Sequence, residues 1–474
     1  MIRKPFSLLA ISVMLLTGCN LVPKYTRPEA PIPAAWPSGP AYKEAPAAPG
    51  PATVAELPWR QFFTDGRLQQ IIDTALKNNR DLRVAALQVE RARALYRVQR
   101  AELWPKLETG TSASKERVMV SGSTGLVTLE QYSVSLGISS WELDFFGRIR
   151  SLSKRALEEY FATAQARRST QILLISEVAN AYLTLAADRE NLKLAQFTLK
   201  SQQAAYYLIQ RRFEVGLAPE LDLRQVQTRV DTARGDVARY TQLAAQDENA
   251  LNLLAGSTVP ANLLPEELSA VKPLPEVAPG ISSEVLLRRP DILQAEHLLK
   301  AANANIGAAR AAFFPRIELT TAIGSASGDL TGLFKSGSFV WSYAPEIVLP
   351  IFDARTWSAL QATQVEREIA VAQYERAIQR AFREVADALA RRGTLGDQME
   401  AQQSLLEATA KTYRLSTARY EKGIDIYLNV LDAQRSLYSA QQGLIAIRLA
   451  KLANQVQLYA VLGGGDASTP PTGG

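Results

Sequence analysis

One unit is written twice in this chain, and a duplicated unit admits far fewer folds than 474 unrelated residues would. Asp81 to Pro105 pairs with Asp291 to Pro315 at an offset of 210. Within it Ala85, Ala92, Arg100 and Ala101 meet Ala295, Ala302, Arg310 and Ala311, and Trp104 meets Phe314. Farther on the offset is 207: Val178 meets Val385, Arg212-Phe213-Glu214 meets Arg419-Tyr420-Glu421, Gly216 meets Gly423 and Gly256 meets Gly463. A loop three residues shorter accounts for the change. The first copy occupies 59–280 and the second 281–462.

Both copies carry the same order of elements. A helical stretch (67–103 in the first) precedes two alternating segments, a very long helix, a Gly-containing turn and another helix. Val178, Leu185, Leu192, Leu199, Tyr206 and Phe213 recur every seven residues, as do Val385, Arg392, Met399, Leu406, Tyr413 and Tyr420. Leu223, Val230, Val237 and Leu251 continue the pattern, with Val430, Leu437, Leu444 and Leu458 as their copy. Sevenfold apolar spacing means helices packed side by side with coiled-coil geometry. The long helices are read at 147–214 and 355–422, each about 100 Å at the helical rise, and their partners at 220–254 and 427–461. Gly216 and Gly423 end the long helices and turn the chain back. Such lengths suit a tube wall rather than a compact globule.

The alternating segments are strands, at about 106–118, 130–144, 316–326 and 339–351. Tyr132, Val134, Leu136 and Ile138 face one way while Ser133, Ser135, Gly137 and Ser139 face the other. Ile317, Leu319 and Ile323 oppose Arg316, Glu318 and Thr320, and Trp341, Tyr343 and Ile347 oppose Ser342, Ala344 and Glu346. Apolar-out, polar-in strands of this length suit a transmembrane β-barrel with a wet lumen. A soluble sheet with one buried face fits the alternation equally well. Because membrane barrels begin at about eight strands, four that span a membrane require a barrel shared between subunits.

The amino terminus reads as an address. Arg3 and Lys4 precede an apolar run from Phe6 to Leu16, too short to span a bilayer, and then Leu16-Thr17-Gly18-Cys19. Small residues before a lone cysteine match the bacterial lipoprotein cleavage box; the alternative is an ordinary signal peptide ending near a cysteine. The first reading makes 1–18 the signal peptide and puts N-acyl and S-diacylglycerol lipid on Cys19. Asn20, rather than an aspartate, then favours the outer membrane. Ten prolines between 20 and 58 make 19–58 an extended strap, and 463–474 reads as a disordered tail. No later run of 18 apolar residues marks a transmembrane helix.

Composition then excludes several functions. The 53 basic and 47 acidic residues leave +6, and removal of Arg3 and Lys4 leaves 51 against 47, too mild and evenly spread for nucleic acid. With one cysteine, Cys19, and one histidine, His297, neither a disulfide nor a Cys/His zinc site is expected. His297 reads as a structural polar residue. No cofactor is expected, and no pair of carboxylates is marked out for catalysis, so the chain does not read as an enzyme.

Together with the duplication and the cleavage box, four motifs carry a resemblance over nearly the whole chain: Trp141-Glu142-Leu143-Asp144-Phe145-Phe146-Gly147-Arg148, Leu287-Arg288-Arg289-Pro290-Asp291, Ala311-Ala312-Phe313-Phe314-Pro315 and Leu431-Asp432-Ala433-Gln434-Arg435-Ser436-Leu437. The chain resembles the TolC-type outer membrane factors, closest to the OprM-like lipoprotein channels of resistance–nodulation–division (RND) multidrug efflux pumps. The resemblance implies a mainly α fold with a transmembrane β part. Four strands per chain would be shared in a trimeric 12-stranded β-barrel, above a long periplasmic α-helical barrel. It also implies a homotrimer in the outer membrane of a Gram-negative bacterium, a periplasmic adaptor protein and an inner-membrane RND transporter. The function implied is passive export of antibiotics, organic solvents and other amphiphiles.

In that family the periplasmic end is closed by inward helices, and the matching residues here are Arg419 and Tyr420 before the Gly423 turn and Leu428 and Asp432 after it. Leu428 and Asp432 are four apart, so they share one helix face, and a symmetric ring would set an apolar constriction one turn from a ring of carboxylates. Arg392 interrupts its apolar ladder where the first copy has Leu185; by family analogy it joins Asp188 and Asp247 in the same network. Two readings stay beside this one. A related duct could carry metal ions or a secreted polypeptide, or the chain could be a lipid-anchored periplasmic coiled-coil adaptor, which leaves the four strands unexplained.

Overall fold

A computed structural model describes residues 20–43, 57–119, 125–275 and 282–464. Cys19, the stretch before it and residues 465–474 lie outside the described residues. In chain order the elements are α1 (Trp59–Phe62), α2 (Gly66–Asn78), α3 (Arg80–Ala101), β1 (Leu107–Met119), β2 (Leu126–Glu142), α4 (Arg148–Glu214), α5 (Glu220–Ala255), α6 (Pro290–Ala311), β3 (Arg316–Ser327), β4 (Phe339–Val348), α7 (Ala354–Glu421) and α8 (Tyr427–Val461). Contacts divide the described residues into two compact units. The first draws on Met1–Glu29, Leu87–Ala164 and Gln294–Glu375, and the second on Ala30–Ala86, Gln165–Leu293 and Arg376–Gly474. Each therefore takes pieces of both copies, so the repeat is a unit of sequence but not a unit of packing.

The first unit holds the sheet, an antiparallel meander in the order β1-β2-β3-β4. Its register lines Leu136, Ile323 and Trp341 up across three strands, with Gly137, Ala322 and Ser342 in the neighbouring row on the opposite face. Every residue of β4, and all of β1 but one, is exposed, most of β2 and β3 is half-buried, and no described residue of the sheet is fully buried. A soluble sheet would bury one face; this one leaves Trp341, Tyr343 and Ile347 bare. At the strand-to-helix junction Asp144 caps α4 by accepting from the amides of Ile149 and Arg150, while Glu142 pairs with Arg148 at 2.6 Å and Arg316 at 3.0 Å. The amino-terminal segment is docked here too. Tyr25, Arg27 and Lys300 surround Glu296, whose side chain is 4% exposed and whose charge is balanced by Arg27 at 2.5 Å. His297 meets Glu158 at 2.7 Å against the Phe161 ring.

In the second unit the expected continuous helix 67–103 breaks at Asn79 into α2 and α3. Asp65 caps α2, which buries Leu68, Ile71, Ile72 and Ala75 as one stripe. Asn79 then adopts an extended backbone and starts α3 afresh, its side-chain oxygen accepting from Leu82 at 2.9 Å. Its amide donates to the carbonyl of Leu254 at the end of α5. The second copy repeats the joint with different chemistry: Arg289, at the position of Asn79, donates to the carbonyl of Val461 at the end of α8 at 2.6 Å. Two helix ends with orphan carbonyls are thus plugged by the same position of each copy.

The long helices close alike. Gly216 and Gly423 take positive φ, and the following amides, Leu217 and Ile424, bond back to Arg212 and Arg419. Near the other end of the unit Phe62 stacks on Tyr459 at 4.3 Å, Phe63 packs edge-on, and Tyr459 donates to Leu57. Each of these buried rings contributes about 1.5–3 kcal/mol. Asn79→Ala removes the α3 cap and the plug on Leu254 together. It should cost about 1–2 kcal/mol, read as a lowered midpoint in a thermal melt in detergent, whereas Asn78→Ala next to it should leave the midpoint close to wild type.

Candidate functional site

The expected gate residues lie in the second unit, where hairpin α4–α5 meets hairpin α7–α8. Ile209 of α4, Val226 of α5 and Tyr427, Val430 and Leu431 of α8 form one buried cluster, with Tyr206, Leu223, Tyr413 and Tyr420 around it. Burial pushes the Tyr427 phenol up to about 12. Because Tyr427, Val430 and Leu431 fill the inner face of α8, residues 428 and 432 are left on its outer face. Leu428 is 40% exposed, and the Asp432 side chain is 51% exposed, paired only loosely with Arg435 at 3.4 Å.

Arg419 is spent within its own turn, on Asp425 at 2.6 Å, and it holds that half-buried carboxyl below the usual range. Tyr420 instead accepts from Arg212 at 3.0 Å and packs its ring on Tyr427. The duplication explains the exchange. Arg212 is the counterpart of Arg419, but Ala218 stands where the second copy has Asp425. Without a carboxylate in its own turn, Arg212 reaches the hydroxyl of Tyr420, which the first copy lacks because Phe213 stands there. The same comparison sets Leu221 against Leu428 and Gln225 against Asp432, so at these two positions only the second hairpin carries a charge. Asp425 and Arg212 were not singled out from the sequence, although the mismatch of Ala218 with Asp425 was there to be found.

Asp188 and Asp247 do come together, carboxyl to carboxyl, across α4 and α5. Oδ2 of Asp247 is shielded from solvent with no other donor in reach. Burial, then the charge of Asp188, pushes Asp247 up to about 6, and burial likewise raises Asp188 against the opposing field of Arg239. Arg239 is the cation whose field reaches Asp188, and Arg392 is half-buried on α7. A carboxyl raised in the folded chain stabilises it fully below the unfolded value near 3.8, and that contribution is lost as pH rises through about 6. The thermal midpoint should therefore fall between pH 4 and 7 more in the wild type than in Asp247→Asn; parallel pH profiles would refute the shared proton.

Exposed strands of one sheet, paired long hairpins and a duplicated sequence define a membrane-channel class of protein. The chain belongs to the outer membrane efflux protein family, whose model matches it twice, over residues 71–257 and 281–464. It is 50% identical over 463 residues to the toluene efflux pump outer membrane protein TtgC of Pseudomonas putida, covering 96% of this chain and 95% of that one. It is 40% identical over 469 residues to the outer membrane protein OprJ of Pseudomonas aeruginosa, covering 98% and 97%. The fold superposes on the open state of the MtrE outer membrane channel of Neisseria gonorrhoeae with a TM-score of 0.85 at 36% identity, over 94% of this chain and 98% of that one. The fold is TolC-like, and the protein is an outer-membrane component of efflux.

Proposed function

We propose that three copies of this chain form the passive exit duct of a tripartite efflux pump. Their twelve strands close one barrel in the outer membrane, and their hairpins close one periplasmic tunnel. The observation that carries this is the sheet itself. Among the described residues it has four strands, two unpaired edges and no fully buried side chain, which no single chain can stabilise in lipid. A periplasmic adaptor and an inner-membrane RND transporter supply the cargo, which the name of the Pseudomonas putida relative suggests includes aromatic solvents; antibiotics and other amphiphiles belong to the same class. No cofactor or catalysis is required of such a duct. Acylation of Cys19 adds a second hold on the membrane.

In the trimer, Leu428 and Asp432 from each α8 line the narrowest ring at the periplasmic end, an apolar collar followed by three carboxylates. Their outward position on α8, opposite the packed Tyr427, Val430 and Leu431, is what supports that assignment. Arg419, Tyr420 and the Asp188–Asp247 pair act behind it by setting where α8 and α5 sit. Arg392, half-buried on α7, completes that outer network.

The assembly purified from outer membranes in detergent should have the mass of three chains and conduct in planar bilayers. Cys19→Ala should lose the lipid mass and keep the trimer. Leu428→Ala with Asp432→Ala should raise conductance severalfold. A non-conducting monomer would overturn the duct, and unchanged conductance in the double variant would overturn this ring.

A further inference from the structure

Above the ring, α5 and α8 are joined by polar contacts that the duplication does not account for. Tyr438 of α8 donates to Asp236 of α5 at 3.2 Å, and one turn on Gln442 donates to the hydroxyl of Tyr240 at 2.9 Å. Both contacts join residues 202 apart, whereas the copies are related by 207. The two helices therefore run parallel with a five-residue stagger. The counterparts of Asp236, Tyr240, Tyr438 and Gln442 are Gly443, Ile447, Asp231 and Gly235, none of which could repeat the bonds.

The first-helix side of both rungs is preset. Asp236 also accepts from Arg239 at 3.1 Å, and the Arg239 guanidinium lies 4.3 Å from the centre of the Tyr240 ring, which is 7% exposed. Burial and the facing Asp236 raise the Tyr438 phenol, as expected for a hydroxyl kept as a donor. Asp236 and Tyr240 are thus held in place before α8 arrives, and α8 brings the two side chains that complete the bonds.

We infer that the rungs Asp236–Tyr438 and Tyr240–Gln442 are the pivot of the gate: they clamp α8 to α5 at a fixed height and confine the opening movement to the part of α8 below them. This rests on the reading of Leu428 and Asp432 as the ring. Asp432 lies six residues and Leu428 ten residues before Tyr438, so the swinging arm is about 9–15 Å long at the helical rise. Along the arm itself the contacts of α8 with the other hairpin are apolar, through Tyr427, Val430 and Leu431. Apolar packing is non-directional and can slide, whereas two hydrogen bonds one turn apart fix both height and rotation. The four residues are positioning residues: none of them is placed in the ring.

Two readouts separate this inference from the ring on which it rests. Spin labels on Thr228→Cys and Asn429→Cys, exposed positions on α5 and α8, report the α5–α8 separation below the pivot. Labelled subunits are diluted among unlabelled ones to suppress distances between protomers. Tyr438→Phe with Gln442→Leu, which keeps the packing and deletes both donors, should broaden that distance distribution toward longer values. It should also raise the open probability in planar bilayers by about 3- to 10-fold. Asp236→Asn, which keeps an acceptor for Tyr438, should stay near wild type in both. The thermal midpoint of the trimer should move little in any of them, which a merely structural role would not allow. An unchanged distance distribution in the double variant would overturn the pivot, whatever the conductance. A broadened distribution with unchanged conductance would uphold the pivot and overturn the ring instead.

Discussion

Unpaired backbone at the two edges of a four-stranded sheet is the constraint on which the rest of this protein depends. The outer edges of β1 and β4 present rows of amides and carbonyls, and no described residue of the sheet is fully buried. In water such a sheet aggregates, and in hydrocarbon each unsatisfied group costs several kcal/mol. Closure with further copies removes both problems at once. The side-chain rows then acquire a meaning: Leu136, Ile323 and Trp341 belong on the lipid side, and the serines and glycines of the alternate rows belong on the wet side.

Duplication supplies the scaffold, and departures from it make the two hairpins unlike. Asn79 and Arg289 plug equivalent helix ends, and Gly216 and Gly423 turn equivalent hairpins, so structural joints are shared between the copies. Around the hairpin tips the copies part. Asp425 in place of Ala218, Tyr420 in place of Phe213 and Asp432 in place of Gln225 concentrate charge and hydrogen bonding on the second hairpin. The same holds for the contacts between α5 and α8, where the five-residue stagger opposes residues that the repeat never aligns.

Strands, long helices and glycine turns were legible in the sequence because each is a local pattern: alternation, sevenfold spacing and a residue tolerant of positive φ. The break at Asn79 was not. The apolar spacing of α2 and α3 runs on through it, and what stops the helix is a side chain that both caps α3 and reaches across to Leu254. At the hairpin tips the shared face of Leu428 and Asp432 followed from their spacing of four, whereas its outward placement is set by the packing of Tyr427, Val430 and Leu431. The partners of Arg419 and Tyr420 did not follow from spacing, since Asp425 is near in sequence but Arg212 comes from another copy. Asp188 and Asp247 were paired by resemblance, whereas their shared burial and the role of Arg239 are properties of packing.

By itself the sequence determined what periodicity can encode: two copies, their elements, the faces those elements bury, and the family to which such an order belongs. Only the tertiary structure decided which polar groups meet. A hydrogen bond depends on ångström-scale distance and on direction, and both are set here by the stagger between helices far apart in the chain. Hydrophobic burial tolerates a sliding register, so it can be read from a pattern. The bonds of Tyr438 and Gln442 across to α5 do not tolerate one, and they exist only once the helices have packed.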